Sequence, residues 1–184
     1  MTGSFVWTSR PGERHRHDRL ILKLRGGELR YRNMRMLGGV WLARDAEHAE
    51  RITGPLGPDA AGLSRRQLEA ALAPARGGLK ALLMNQRRVA GIGNELSDEI
   101  LWRARLHPRR PAGSLDAGER GRLHRALREV IATSNRHGRI PVRRRWLKSQ
   151  RRAREPRCPR CRAPFERAAV AGRTAYWCPR CQPE

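Results

Sequence analysis

Apolar residues alternate near the start of the chain and take helical spacing further on, and that change of period divides it. Residues 1–19 are polar and irregular. Leu20, Leu22 and Leu24 then alternate with Ile21, Lys23 and Arg25, stop at Gly26-Gly27, and resume through Leu29 and Tyr31. A period of two around a glycine pair predicts a β-hairpin. Val40-Trp41-Leu42, an apolar run after Gly38-Gly39, is expected to add a third strand. Such a sheet would keep one apolar face open, since nothing before Leu20 offers a cover for it.

Thr53 to Gly62 holds two Pro and three Gly and reads as a linker. Beyond it the spacing becomes helical. Ser64 with Gln67 forms a capping box ahead of Leu68, Ala71 and Leu72. Leu79 to Met84 predicts a short apolar helix, and Asn94 can cap another that carries Leu96, Ile100 and Leu101 and ends at His107-Pro108. Asp116 and Glu119 form a second capping box, for a helix with Leu123, Leu127, Val130 and Ile131 on one face and Gly138 at its C′ position. From Arg139 to Arg162 there are 11 basic residues and one acidic residue, which reads as a solvated tether or a phosphate-contacting strand.

Charge narrows the partners. Forty Lys and Arg against 17 Asp and Glu leave a formal net charge of +23 on 184 residues. That much self-repulsion points to a polyanion, with nucleic acid ahead of an anionic membrane. No apolar run approaches the roughly 20 residues that cross a bilayer, and Met1 to Arg10 lacks a signal-peptide core. A cytoplasmic, nucleoid-associated protein is expected.

The four cysteines stand as Cys158-x2-Cys161 and Cys178-x2-Cys181, 16 residues apart. Two such knuckles can wrap four thiolates around one tetrahedral Zn²⁺. The zinc is structural, because four Cys leave no open position for a substrate, and it supplies folding energy that so short a segment cannot find in a core. Val89-Ala90-Gly91-Ile92-Gly93-Asn94 runs into a helix. Its glycines and the free amides of the helix start suit a phosphate flanked by Lys80, Arg87 and Arg88, and suit equally a tight helix–helix turn. The six His form no metal-like group with an acidic partner, and His124 reads as solvated. Asp98-Glu99 point different ways from one helix and read as salt-bridge partners. No Ser-His-Asp or phosphate-loop pattern occurs.

Four stretches, in order, carry a resemblance: Asn33-Met34-Arg35-Met36-Leu37-Gly38; Leu83 to Gln86 through Gly91-Ile92-Gly93-Asn94 and Asp98-Glu99; His107-Pro108; and the four-Cys hairpin with Gly172-Arg173-Thr174. Together they resemble the formamidopyrimidine-DNA glycosylase and endonuclease VIII family of base-excision repair enzymes, over nearly the whole chain. The first stretch is similar to that family's loop Asp-Pro-Arg-Arg-Phe-Gly. The resemblance implies an α+β chain: part of an N-terminal β-sandwich over 1–53, a helix–two-turn–helix domain over 54–138, a basic linker over 139–155 and a zinc finger over 156–184. It implies that Asn94, in the turn with Gly93, and Arg173 hold phosphates around an extruded nucleotide, and that Lys80 is a further basic phosphate contact. Arg35 would face the orphaned base, and Leu37 stands where the family has a Phe wedge.

The family begins with Pro-Glu, whose Pro amine attacks C1′ and whose Glu acts in acid/base steps. Here Met1-Thr2-Gly3 resembles instead an internal stretch whose Met fills the void left by the flipped base. The expected function is therefore damaged-DNA binding in base-excision repair, on the pattern of a DNA glycosylase with abasic-site lyase activity. The nucleophile-bearing segment is not in this chain, which is expected to be inactive alone. The alternative is a non-catalytic zinc-dependent DNA-binding protein. The expected partner is duplex DNA with a damaged base or abasic site, bound by a monomer unless a partner chain supplies the remaining strands.

Overall fold

The computed structural model describes residues 3–10, 12–36, 39–73, 77–151 and 153–184. The chain is α+β and divides into two compact units, Met1–Ile52 and Thr53–Glu184.

The first unit carries β1 (Ser4–Thr8), β2 (Asp18–Leu24) and β3 (Gly27–Arg32) in one antiparallel sheet of order β1-β3-β2, followed by α1 (Ala46–Thr53). The expected hairpin is β2–β3, turning at Gly26 with φ +86°. The expected third strand is not at residues 40–42, where Val40, Trp41 and Leu42 are exposed and irregular. Ser4–Thr8 pairs with β3 instead, Phe5 opposite Tyr31 and Trp7 opposite Leu29. Phe5-Val6-Trp7 is also a run of three apolar residues, but Ser4 and Thr8 flank it and share the face of Val6, which leaves that face mostly polar, whereas Gly39 and Ala43 flank 40–42. The strands approach closely at Gly27, where a Cβ would lie 2.3 Å from the Thr8 carbonyl oxygen.

The register gathers Phe5, Trp7, Leu20, Leu22, Leu29 and Tyr31 on one face. That face is open, with Phe5 69% and Trp7 52% exposed. The polar face is the closed one. Arg30 is buried there, its guanidinium donating to Glu28 Oε2 at 2.7 Å and to the Gly12 and Glu13 carbonyls, while Arg32 Nε donates to Asp18 Oδ1 at 2.8 Å.

The second unit holds α2 (Arg65–Leu72), α3 (Leu79–Met84), α4 (Asn94–Ala104) and α5 (Ala117–Arg136), then the hairpin β4 (Glu166–Val170) and β5 (Arg173–Trp177). Both expected capping boxes form, Ser64 with Gln67 and Asp116 with Glu119, and Gly138 follows α5 with φ +62°. The Glu119 amide holds the Asp116 carboxyl below its ordinary range. Arg105, in the left-handed conformation, ends α4 before His107-Pro108. Leu63, Leu68, Leu79, Leu83, Ile92, Ile100, Leu123 and Leu127 make one core across all four helices.

Three stretches pack more tightly than their polarity suggests. Asp59 bridges to Ala90 and the Gly57 amide donates to the Gln86 carbonyl at 2.8 Å, so the Pro/Gly linker lies against the α3–α4 connection. His124 is half-buried and not fully solvated: its Nε2 lies 3.0 Å from the Leu63 carbonyl and joins α5 to the entrance of α2. Within the basic stretch Trp146 and Leu147 are buried against the helices and the cysteine unit, so it is anchored and not merely a tether. Replacing Ser64 with Ala removes one half of a capping box and is expected to cost about 1 kcal/mol. The check is the urea midpoint followed by Trp fluorescence; an unmoved midpoint would show that packing alone sets the start of α2.

Candidate nucleic-acid interface and zinc centre

The connection from α3 to α4 makes two turns, held by one side chain. Gln86 Oε1 accepts from the Gly91 amide at 2.9 Å, and Gln86 Nε2 donates to the Met84 and Ile92 carbonyls at 3.1 and 2.9 Å. Gly91, at φ +89°, sits where a side chain would be strained. Gly93, not Asn94, takes the N-cap position of α4, and no side chain caps the helix. The reason is geometric: the chain enters extended at Gly93, with ψ −178°, and Asn94 is already the first helical residue. This opens the helix start, where unbonded amides and the positive dipole end favour an anion. Asn94 Oδ1 is buried with no hydrogen-bond partner among the described residues. Arg87 and Gly93 are exposed beside it, and Arg88 is half-buried.

Lys80 departs from the expectation of a surface phosphate contact. It is 0% exposed, its ammonium paired with Asp98 Oδ1 and donating at 3.3 Å to both Ser97 Oγ and the Asn94 carbonyl. The carboxylate one turn along α4 draws the ammonium under the helix, and no alignment of a lone basic residue carries that information. Asp98 receives a second cation, Arg151, at 2.6 Å on Oδ2. Burial pushes the Asp98 carboxyl up and the Lys80 ammonium down, and their mutual attraction opposes both. Glu99 accepts from Arg103 at 3.1 Å, and burial lifts its carboxyl to about 7. The acidic pair is thus a set of ion-pair partners, as expected.

Arg173 opens β5 directly after Ala171 and Gly172, at φ +51° and +70°. Positive φ at both central residues is the tight hairpin turn whose twist matches its strands, and it leaves Arg173 exposed at the tip. Arg35, in the first unit, is also exposed, its amide donating to Asn33 Oδ1 at 3.2 Å. Met1 and Leu37 lie outside the described residues.

The sulfurs of Cys158, Cys161, Cys178 and Cys181 all lie within 4.8 Å of one another, with Cys158–Cys181 at 3.9 Å and Cys161–Cys178 at 3.4 Å. A tetrahedron of Zn–S bonds of about 2.3 Å has edges of about 3.8 Å, so the donor set fits one zinc ion. Trp102 Nε1 donates to Cys158 Sγ at 3.4 Å, and Gln182 Nε2 donates to the Leu106 carbonyl at 2.8 Å. The edge of His107 meets the ring of Trp177 with centroids 5.1 Å apart. These contacts seat the cysteine unit on the C-terminal half of α4. Trp102, Gln182 and Arg151 were not distinguishable in the sequence, since each acts through a partner more than 20 residues away.

Residues 56–145 match the family model of the formamidopyrimidine-DNA glycosylase H2TH domain, and residues 156–183 that of the zinc finger found in FPG and IleRS. With the clustered cysteines, the second match establishes one structural zinc ion. Among curated proteins, the chain is 35% identical to a formamidopyrimidine-DNA glycosylase of Desulforamulus reducens, over 99% of this chain and 71% of that protein. It is 36% identical to the one of Thermus thermophilus, over 100% of this chain and 73% of that protein. Among solved structures it is similar to Lactococcus lactis Fpg in complex with an abasic-site-containing DNA, with TM-score 0.83 and 25% identity over 100% of this chain and 73% of that one. MutM in complex with carbocyclic 8-oxo-G containing DNA gives TM-score 0.82 and 26% identity, covering 100% and 72% of the two chains. Among the described residues no helix is long and apolar enough to cross a membrane.

Proposed function

Because the chain belongs to the formamidopyrimidine-DNA glycosylase family, we propose that its 184 residues form the DNA-gripping part of a base-excision repair glycosylase. The partner is duplex DNA carrying a damaged base or an abasic site. The observation that carries this reading is the open start of α4, where no side chain caps the helix and its first amides are left to donate to a phosphate, with Asn94 able to add its side-chain N–H. In this reading Asn94, with the backbone at Gly93, and Arg173 take phosphates on either side of an extruded nucleotide. Arg35 reaches toward the unpaired base, with Leu37 as an aliphatic wedge and Met1 as filler of the void. Lys80 acts from beneath, through Asn94 and Asp98, and not as a contact.

The proposal divides labour as the sequence suggests. Residues 1–53 belong to the β-domain, 54–138 to the helix–two-turn–helix, 139–155 to a basic connection and 156–184 to the zinc hairpin. In the family's pattern, base removal and strand cleavage go through an amine that attacks C1′, and no Pro-Glu pair stands in that position in these residues. In this reading these residues grip the DNA and supply no nucleophile. The open apolar face of the β1–β3–β2 sheet favours this over a self-sufficient non-catalytic binder, since exposed Phe5, Trp7 and Leu22 suit a further β-layer.

Two measurements test the reading. The zinc-loaded chain, mixed with borohydride and a duplex with one abasic site, is expected to bind and to form no covalent adduct; a trapped adduct would place a reactive amine within these residues. Arg173→Ala is expected to weaken binding about tenfold and to flatten the log–log salt dependence by about one unit, as loss of one phosphate contact does. Unchanged affinity and slope would take Arg173 out of the interface.

A further inference from the structure

We propose that Arg151 is a positioning residue for DNA binding: it locks the zinc hairpin to the first turns of α4, so that Asn94 and Arg173 are presented as one rigid pair. The inference rests on the reading of those two residues as phosphate contacts. Arg151 Nη1 donates to Asp98 Oδ2 at 2.6 Å, and its guanidinium lies over the ring of Tyr176 at 4.5 Å from the centroid. Tyr176 is on β5, three residues past Arg173, roughly 10 Å along the strand. From Asp98 the chain of contacts continues to the Lys80 ammonium and from there to the Asn94 carbonyl. Tyr176, Arg151, Asp98, Lys80 and Asn94 thus connect the hairpin to the helix start without a gap.

The setting explains why an arginine does this. Its planar guanidinium can donate to a carboxylate at its edge while its face rests on an aromatic ring, which an ammonium does less well. The side chain is only 11% exposed, so it is not free to meet a phosphate itself. Leu147, buried at the start of the short helical turn Leu147–Ser149, fixes the backbone from which Arg151 reaches. Lys148 adds a second tie to the same helix, pairing with Glu95 through its ammonium and donating its amide to Glu99 Oε2 at 3.3 Å.

The test is a double-mutant cycle on the zinc-loaded full chain, titrated against a duplex with one abasic site over a range of salt. Arg151→Met is expected to lower affinity about tenfold, the size of a typical coupling between residues in one network. Zinc content and the salt slope should stay as in the parent chain. In the Asn94→Ala background the same change is expected to cost less than about twofold, because with one member of the pair gone its placement relative to Arg173 no longer counts. Tyr176→Leu, which keeps the ion pair and removes only the ring, is expected to cost about threefold, so the proposal does not depend on one variant folding. Additive effects of Arg151→Met and Asn94→Ala would overturn it, as would a fall of one unit in the salt slope, which would make Arg151 a phosphate contact. Unchanged binding by Asn94→Ala alone would overturn the underlying reading of the helix start, and this inference with it.

Discussion

Cys178→Ser is expected to yield a chain without zinc and without a folded hairpin. Between Pro156 and Glu184 the buried side chains other than cysteine are Val170, Ala175, Trp177 and Gln182, far too few to repay the ordering of that segment. Structural zinc in isolated finger peptides contributes about 10–16 kcal/mol at neutral pH, and removing one of four thiolates forfeits most of it. The loss should stay local. The core through Leu63, Leu83, Ile100 and Leu127 is built on α2–α5, so the far-UV helical signal is expected to hold while near-UV signals from Trp102 and Trp177 collapse. Duplex binding should fall with them, since Arg173 depends on the hairpin for its place. Metal content is the deciding number: one zinc per chain in the purified variant would mean the four-thiolate assignment is wrong.

The parts legible in the sequence were those whose cause is local. A capping box is two side chains three residues apart, so Ser64–Gln67 and Asp116–Glu119 announced their helices, and the CxxC knuckles announced a metal. The resemblance added the order in which such pieces belong together. Long-range competition was not legible. Residues 40–42 are more apolar than Ser4–Thr8 as a whole, yet the edge of β3 went to the segment in which Ser4 and Thr8 keep one side mostly polar. Trp146 and Leu147 were hidden by the arginines around them, because mean charge over a stretch says nothing about two anchors inside it.

The start of α4 shows the same limit at the site itself. Gly91 to Asn94 left two readings open, a phosphate-binding turn and a plain helix–helix turn, and only the three-dimensional arrangement adds weight to one. Gly93 in the cap position leaves Asn94 without a capping duty, and helix-start amides that no side chain caps are donors that a bound phosphate can satisfy. Gln86 explains how the turn holds this shape before any ligand arrives, since three of its hydrogen bonds close the loop on itself. A preformed loop spares the ordering cost of binding.

Lys80→Met should be the most damaging single change in the helical core that leaves the zinc site intact, at about 3 kcal/mol, because it strands one member of a buried ion pair. Asp98 would keep Arg151 alone as counter-ion, and Ser97 Oγ and the Asn94 carbonyl would lose their common donor. The pH dependence gives the mechanism away. Burial already raises the Asp98 carboxyl above its ordinary 3.8, and taking away Lys80 removes the largest attraction that opposes the rise. A carboxyl whose folded pKa exceeds its unfolded one keeps its proton longer in the folded state, so stability declines as pH climbs between the two values. The destabilisation by Lys80→Met is therefore expected to be larger at the alkaline end and relieved on acidification, as protonated Asp98 no longer needs a second cation. Adding Asp98→Asn to Lys80→Met should recover part of the loss at pH 7 and flatten its pH dependence. Thermal unfolding of parent, single and double variants from pH 5 to 8 reads all of this directly. A Lys80→Met penalty that is independent of pH would mean that the loss lies in the hydrogen bonds to Ser97 Oγ and the Asn94 carbonyl, and that Asp98 draws its whole compensation from Arg151.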